Sequence, residues 1–163
     1  MQISEAMNLH WTDDSDLCVD FSQEFPMLVI QAHAQKSKQY EQIPIVPDFA
    51  ELLRSVPKEE RTGYVFNPIP KRNRGTRLRS DTTSTLISRI GKAAGILVGE
   101  SLSGKKKHAS AHDLRRSFGF RWSRKLMPAD LKEIMRHSSI QTTMDFYVGS
   151  NAIETARGLW GSC

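Results

Sequence analysis

The sequence predicts an α+β fold that is mostly helical, with a small three-stranded antiparallel sheet near the N-terminus. Three short segments rich in β-branched residues, separated by polar turns, lie within residues 17–46. Downstream, apolar residues recur every third or fourth position in segments that begin at helix-starting residues. With 163 residues, 39% of them hydrophobic, the chain is long enough to form one compact domain with its own core.

The N-terminal third is predicted to place the sheet between two helices. The opening residues have the apolar spacing of a helix, and the three strand candidates follow it. A second helix starts at Pro47, where a proline fits the first turn, and ends before Pro57. In chain order we predict a helix over 3–9, strands over 17–21, 27–32 and 42–46, a hairpin loop over 35–39, and a helix over 47–55.

The middle of the chain is predicted to contain two strongly basic loops and one helix. The first loop covers 67–80, and the second is centred on 105–108. Asp81 has the residue type of an N-cap for the helix between the loops. The apolar stripe of that helix includes Leu86 and Ile90 and extends to Leu97.

The last third is predicted to be helical throughout. Ser110 with Asp113, and Ser138 with Gln141, have the spacing of capping boxes. Pro128 fits the first position of a further helix. We therefore expect helices that begin near 110, 128 and 138, the last of them carrying Tyr147, and a short helix over 152–160.

The charge of the chain favours a polyanionic partner. Its formal net charge is +5 and its isoelectric point is about 9.4. Cys18 and Cys163 are far apart and do not have the spacing of a metal site, so no metal is expected. No apolar run approaches membrane-spanning length and no hydrophobic leader is seen, which favours a reducing cytoplasm and no membrane partner.

Four residues near the C-terminus suit the chemistry of a phosphodiester. His112 and Arg115 are three residues apart and so share one face of a helix. His137 precedes a helix start, and Tyr147 follows it by ten residues. An arginine fork matches two phosphate oxygens, and histidine can transfer a proton near neutral pH. A tyrosine phenol can attack phosphorus and form a reversible covalent ester.

These motifs resemble those of the phage integrase, or tyrosine recombinase, family. The sequence HDLRRSF at 112–118 is similar to the His-x-x-Arg helix of that family. MRHSS at 135–139 is similar to its Leu-Gly-His-Ser-Ser segment, with Arg136 at the glycine, and TTMDFY at 142–147 to the stretch that ends in its nucleophile. The resemblance covers nearly the whole chain, beginning at Ile-Ser-Glu-Ala in residues 3–6. It implies an integrase-like catalytic domain.

The resemblance also implies a role for each residue. Arg115 would bind the scissile phosphate, and His137 would hydrogen-bond one of its oxygens. Tyr147 would become the 3′-phosphotyrosyl link, and His112 would be the general acid–base. Lys36, in the hairpin turn, would protonate the departing 5′ oxygen.

Partners and location follow from the same resemblance. It implies double-stranded DNA as substrate, no cofactor, a tetramer on DNA formed through the C-terminal tail, and a mobile element in a bacterium or phage, close to the nucleoid. Lys38 is the alternative to Lys36 in the hairpin turn. The basic loops either contact backbone phosphates or only solubilise the chain; the candidate DNA contacts are Lys38, Lys71, Arg72, Arg74, Arg77, Arg79, Lys105, Lys106 and Lys107.

Three departures from the family pattern keep alternatives open. Gln2 stands where the family has its first arginine, and the N-terminal DNA-clamping domain of the family is expected to be absent. Tyr147 lies ten residues after His137, whereas many members place the tyrosine nine residues after, where this chain has Phe146. The alternatives are a degenerate integrase remnant that binds DNA without cleaving it, and a type IB topoisomerase-like enzyme.

Overall fold

The computed structural model describes residues 2–34, 38–70, 75–101, 103–147 and 160. The chain divides into two compact units, residues 1–114 and 115–163, with the boundary inside one helix, α4 (Ala111–Ser123). The other elements of the N-terminal unit are α1 (Ile3–Asn8), β1 (Leu17–Asp20), β2 (Met27–Ile30), β3 (Glu41–Pro44), α2 (Pro47–Arg54), α3 (Ser80–Ala93), β4 (Leu97–Glu100) and β5 (Lys106–His108). The C-terminal unit contains α5 (Pro128–Met135) and α6 (Ile140–Met144).

The three-stranded sheet is confirmed. Strands β1, β2 and β3 lie in that order and pair antiparallel, with Leu17 opposite Ile30 and Leu28 opposite Ile43. Alternate residues on each strand point to one face, where they meet α2. The buried cluster consists of Leu9, Leu17, Val19, Leu28, Ile30, Ile43, Ile45, Ala50 and Leu53. The predicted helix over 3–9 and the helix from Pro47 are confirmed to within about two residues.

A second hairpin, β4–β5, was not predicted from the sequence. Helix α3 ends at Ala93, so Leu97 lies in β4 and the apolar stripe drawn to it was wrong. The N–H of Gly95 donates to the Lys92 carbonyl, and that of Ile96 to the Gly91 carbonyl, which is the Schellman pattern. Gly95 can close this helix end because its φ is +67°.

The second basic loop is also partly a strand. Lys106 and Lys107 belong to β5, and Lys105 precedes it. The Lys107 ammonium lies 3.6 Å from a carboxylate oxygen of Asp113. The same Asp113 carboxylate accepts the Ser110 N–H at 3.1 Å, which confirms that half of the predicted capping box. The hydrogen bond from the Ser110 hydroxyl lowers the pKa of Asp113, so the carboxylate stays ionised at the start of α4.

Two predicted N-caps are shifted along the chain. The N-cap of α3 is Arg79, not Asp81, whose carboxylate instead accepts the N–H of Thr82 within the helix. The N-cap of α6 is Ser139, not Ser138, and its hydroxyl accepts the Gln141 N–H at 3.2 Å. Ser138 and Ser139 offer the same side-chain chemistry, and Arg79 is an N-cap without a side-chain hydrogen bond, so local sequence leaves both positions open.

Some predictions lie outside the described residues. These are most of the first hairpin loop, residues 71–74 of the first basic loop, and the tail helix over 152–160 apart from its last residue. Within the part of the chain that the structure describes, no helix is both long and apolar enough to cross a membrane.

The packing of α3 against the segment after β5 depends on a glycine. A Cβ built on Gly91 would lie 2.2 Å from the carbonyl oxygen of Ala109. Alanine gains about 1 kcal/mol over glycine in helix propensity. The backbone oxygen cannot rotate away, however, so we expect Gly91→Ala to lower the free energy of unfolding by roughly 1–3 kcal/mol. Urea denaturation checks this expectation.

Gly99→Ala is the matched control, because a Cβ at Gly99 meets nothing within 4 Å. Its free energy of unfolding should stay within about 0.5 kcal/mol of the wild type. Equal stability of the two variants would show that Gly91 and Ala109 are not in close contact.

Candidate functional site

Three of the five predicted catalytic residues belong to the C-terminal unit. Arg115 lies on α4, His137 follows α5, and Tyr147 follows α6. The guanidinium of Arg115 donates a hydrogen bond to the carbonyl of Met135, two residues before His137. Its charge also contributes to the pKa of His137, so the cation and the imidazole are neighbours.

The chain reverses sharply between α5 and His137. Arg136 has φ 54° and ψ 48°, a left-handed conformation, and the His137 N–H donates to the Lys132 carbonyl at 3.0 Å. This position corresponds to the glycine of the Leu-Gly-His-Ser-Ser segment. A glycine there avoids the left-handed cost of about 1–2 kcal/mol that an L-residue bears.

The imidazole of His137 is fixed on an edge and on a face. Its Nδ1 lies 2.9 Å from the hydroxyl oxygen of Thr143, which is fully buried. The Phe146 ring lies parallel to it within 10°, with the centroids 5.9 Å apart. Burial lowers the pKa of His137, and the positive charges of Arg115 and Lys132 lower it further. His137 is therefore neutral near pH 7.

Phe146 occupies a narrow slot formed by α4 and His137. A Cβ on Gly119 would lie 2.5 Å from the Phe146 ring, so only glycine allows this approach. The ring meets Phe120 edge-on at 5.1 Å. Phe146, at the position nine residues after His137, is thus a packing residue, and the next residue carries the hydroxyl.

The Tyr147 hydroxyl donates a hydrogen bond to the carbonyl oxygen of Leu126 at 2.8 Å. The residue does not lie on α6 as predicted, because that helix ends at Met144; a turn follows, in which the Tyr147 N–H donates to the Met144 carbonyl. Burial raises the pKa of the Tyr147 phenol, and the Asp130 carboxylate raises it further. The phenol is therefore protonated at neutral pH, and its hydroxyl is hydrogen-bonded to a backbone carbonyl.

The remaining two predicted catalytic residues are not among the described residues of the C-terminal unit, and the catalytic role of all five stays a prediction. His112 is exposed in the first turn of α4, in the N-terminal unit. Lys36 lies outside the described residues.

The candidate DNA contacts differ in whether their charged groups already contact other residues of the chain. The Arg77 guanidinium donates to the Phe66 carbonyl at 2.9 Å and lies 3.7 Å from the centroid of the Tyr64 ring. It therefore holds the C-terminal part of the first basic loop onto the unit. Lys38, Lys105 and Lys106 are exposed. Arg79 and Lys107 are also exposed, but Arg79 lies 3.9 Å from a carboxylate oxygen of Asp81, and Lys107 is paired with Asp113. Lys71, Arg72 and Arg74 lie outside the described residues.

Sequence reasoning gave no role to Gly119, Thr143 or Phe146. A glycine in the middle of a predicted helix was the available signal for Gly119, since it lowers helix propensity. Thr143 lay inside a quoted motif, but nothing local distinguishes its buried hydroxyl from the exposed one of Thr142. Among the described residues, no group of three or more His, Cys, Asp or Glu side chains could hold a metal ion.

Comparison with known proteins gives one family match and several structural ones. The model of the phage integrase family matches residues 1–153. The crystal structure of XerA recombinase is 20% identical, with a TM-score of 0.58, over 97% of this chain and 52% of that one. The integrase of the Tn1549 transposon, in complex with transposon right end DNA, is 17% identical, with a TM-score of 0.60, over 99% and 54% of the two chains.

A third similar structure is the XerH site-specific recombinase bound to palindromic difH substrate, a post-cleavage complex. It is 16% identical, with a TM-score of 0.53, over 98% of this chain and 44% of that one. The likeness shows a shared fold, and this chain spans about half the length of these proteins. No curated protein sequence matches the chain.

The lowered pKa of His137 predicts how stability depends on pH. The unfolded state, with an ordinary histidine pKa of 6.5, binds a proton before the folded state does. The contribution of His137 is therefore present above pH 6.5 and is lost as the pH falls through the folded pKa. Melting temperatures of the wild type and His137→Gln, compared between about pH 8 and about pH 5, should converge toward low pH. A difference in melting temperature that stays the same at every pH would contradict the burial of a neutral imidazole.

The slot beside Gly119 predicts a second outcome. Gly119→Ala should displace the Phe146 ring and lower the free energy of unfolding by roughly 1–3 kcal/mol. Adding Phe146→Leu should relieve the clash, so that the double variant loses less stability than the sum of the two single ones. A urea double-mutant cycle measures this coupling. Simple additivity would show that Gly119 and Phe146 do not touch.

Proposed function

The chain belongs to the phage integrase family, and on that premise we propose that it cuts and rejoins DNA as the catalytic domain of a site-specific recombinase. The observation that carries the proposal is that Arg115, His137 and Tyr147, all from family motifs, lie in one compact unit. Within it the arginine charge acts on the histidine.

The proposed reaction is a transesterification at phosphorus. The Tyr147 oxygen forms a bond to the scissile phosphorus, and the bond from phosphorus to the 5′ oxygen breaks. The phenol proton passes to a base, for which His112 is the candidate. The departing 5′ oxygen takes a proton from Lys36, or from Lys38 if that lysine serves instead. The products are a 3′-phosphotyrosyl link and a free 5′-hydroxyl, and the reverse attack rejoins a strand.

Arg115 and His137 suit the stabilisation of the phosphorane. A guanidinium binds non-bridging oxygens with charge-assisted hydrogen bonds, and preorganised donors of this kind supply much of the rate enhancement in such sites. His137 is neutral, so it offers an N–H donor rather than a second full charge. Hydrogen bonds from these two residues to the phosphorane oxygens would lower the energy of the transition state. The proposed step does not involve a metal.

The hydrogen bond from Tyr147 to Leu126 defines a resting arrangement in this proposal. To attack phosphorus, the hydroxyl must exchange the Leu126 carbonyl for the base and the substrate. A hydrogen bond of this kind is worth about 1 kcal/mol net. Contacts with DNA can offset that amount, so the bond is compatible with catalysis.

Double-stranded DNA is the proposed substrate. Two of the similar structures are complexes with transposon end DNA or a difH site. The net charge of +5 and the exposed Lys105 and Lys106 suit contacts with backbone phosphates, which would make binding strongly dependent on salt. The proposal also includes assembly of four copies through the tail and action on a mobile element near the nucleoid. It takes residues 1–163 as the catalytic domain.

A DNA-binding remnant without cleavage is the second candidate. Gln2 occupies the position of the first family arginine, and it is the exposed N-cap of α1, where its N–H donates to Glu5 at 2.6 Å. An amide supplies no positive charge. Losing one preorganised donor from such a clamp typically costs roughly 100- to 1000-fold in rate.

A covalent trapping experiment tests the proposal. The probe is a pool of end-labelled, nicked duplexes with a randomised central segment, in which the fragment released by cleavage diffuses away. We expect a protein–DNA adduct that survives detergent, with the protein joined to a 3′ phosphate. Tyr147→Phe should abolish it because the attacking oxygen is gone. Gln2→Arg should increase its rate of formation by roughly 100- to 1000-fold.

Tyr64→Phe is the matched control, since it removes the hydroxyl of another exposed tyrosine and keeps the ring that Arg77 contacts. It should form the adduct at the wild-type rate. An adduct that persists in Tyr147→Phe would exclude Tyr147 as nucleophile, and no adduct from either the wild type or Gln2→Arg would favour the remnant. Relaxation of supercoiled plasmids without sequence preference would favour a topoisomerase-like activity.

A further inference from the structure

We propose that Thr143 is a positioning residue that sets the tautomer of His137, so that the imidazole presents Nε2–H as its donor. The inference rests on the proposed function for its consequence, which is an uncharged donor to the scissile phosphate. Its geometry rests only on contacts within the C-terminal unit.

The hydroxyl of Thr143 has no access to water. Its residue is fully buried, and its oxygen lies 2.9 Å from Nδ1 of His137. A buried hydroxyl has one proton to donate and is very rarely left without an acceptor. The unprotonated ring nitrogen within reach is that acceptor. When the hydroxyl donates to Nδ1, the single proton of the neutral ring is on Nε2.

The environment of His137 favours the neutral form on which this choice acts. Burial is the largest cause of its lowered pKa, and the positive charges of Arg115 and Lys132 lower the pKa further. A protonated ring would carry N–H on both nitrogens, and the hydroxyl would have to turn its lone pair toward Nδ1. The neutral ring keeps the donor–acceptor pairing complete.

Phe146 completes the positioning. The Thr143 contact fixes one edge of the ring, and the parallel Phe146 ring covers one face. A planar ring held at an edge and a face has one direction left for Nε2. A donor held in place in this way needs no reorganisation when a phosphate arrives, which is the condition for strong transition-state stabilisation.

Nuclear magnetic resonance of the full chain tests the tautomer. In protein labelled with nitrogen-15, the shifts and long-range couplings of the His137 ring identify which nitrogen carries the proton. At a pH where the ring is neutral we expect the proton on Nε2 in the wild type. Thr143→Val, which keeps the shape but removes the hydroxyl, should shift both nitrogens toward a mixture of tautomers. Thr143→Ser should restore the wild-type pattern.

Thr142→Val is the matched control, because Thr142 is the exposed neighbour on α6. It should leave the His137 shifts unchanged. If Thr143→Val does not fold, as judged by circular dichroism, the Thr143→Ser and wild-type spectra still decide. A wild-type proton on Nδ1 would overturn the inference, because the hydroxyl would then be the acceptor.

The covalent trapping experiment separates this inference from the proposed function. Thr143→Val should slow adduct formation by up to about 100-fold, the size expected from a misplaced catalytic group, and Thr143→Ser should recover it. An Nε2–H tautomer in a wild type that forms no adduct, with none from Gln2→Arg either, would contradict the proposed function and leave the positioning intact. A wild-type rate in folded Thr143→Val would overturn the positioning role while leaving the recombinase proposal standing.

Discussion

The hydrogen bond from the Arg115 guanidinium to the carbonyl of Met135 ties α4 to the end of α5. Met135 is fully buried and directly precedes the left-handed turn at Arg136, so the same contact fixes where the chain reverses toward His137. A guanidinium has five donors in a rigid fork, and one of them here serves the fold. The orientation of the proposed phosphate clamp is thus set by the backbone before any substrate binds.

The electrostatics of the C-terminal unit keep two proposed catalytic groups uncharged. Burial and the nearby cations lower the pKa of His137, while burial and Asp130 raise the pKa of Tyr147. A phosphodiester bound at Arg115 would add a negative charge that offsets the effect of the arginine on the imidazole. The same charge would raise the pKa of the Tyr147 phenol further, so the phenol would still need the proposed base, His112, to take its proton.

How much of the fold and of the candidate site could be predicted from the sequence depends on how far apart in the chain the interacting residues lie. The sheet was predictable because Leu17, Val19 and their partners alternate along short strands, and α2 because of its proline at the first turn. The hairpin β4–β5 was missed because its residues are all partly or largely exposed and leave no alternation to read. The end of α3 is closed by Gly95, whose φ is +67°, but apolar residues continue the helical spacing past it to Leu97, so the spacing alone does not show where the helix ends.

In the candidate site, too, the residues could be predicted from the sequence but their contacts could not. Arg115, His137 and Tyr147 could be named from motif order, since their chemistry is local to each residue. The partners that decide their behaviour come from other segments: Leu126 for the phenol, Gly119 for the ring beside it, Met135 for the guanidinium. Spacing along the chain carries no information on such contacts. The contacts of Arg77 could not be predicted for this reason, because its partners Tyr64 and Phe66 lie more than ten residues away in sequence; its contact with DNA stays a prediction.

The local costs around His137 bear on the choice between an enzyme and a remnant. A left-handed Arg136 costs about 1–2 kcal/mol, and burying the Thr143 hydroxyl beside an imidazole needs a matched partner. A surface that only binds DNA backbone requires neither, because exposed lysines supply that affinity. Strained backbone and buried polar pairs are tolerated where geometry serves a reaction. The arrangement at Arg136, His137 and Thr143 therefore favours a site built to hold an imidazole in one orientation, even though Gln2 supplies no charge.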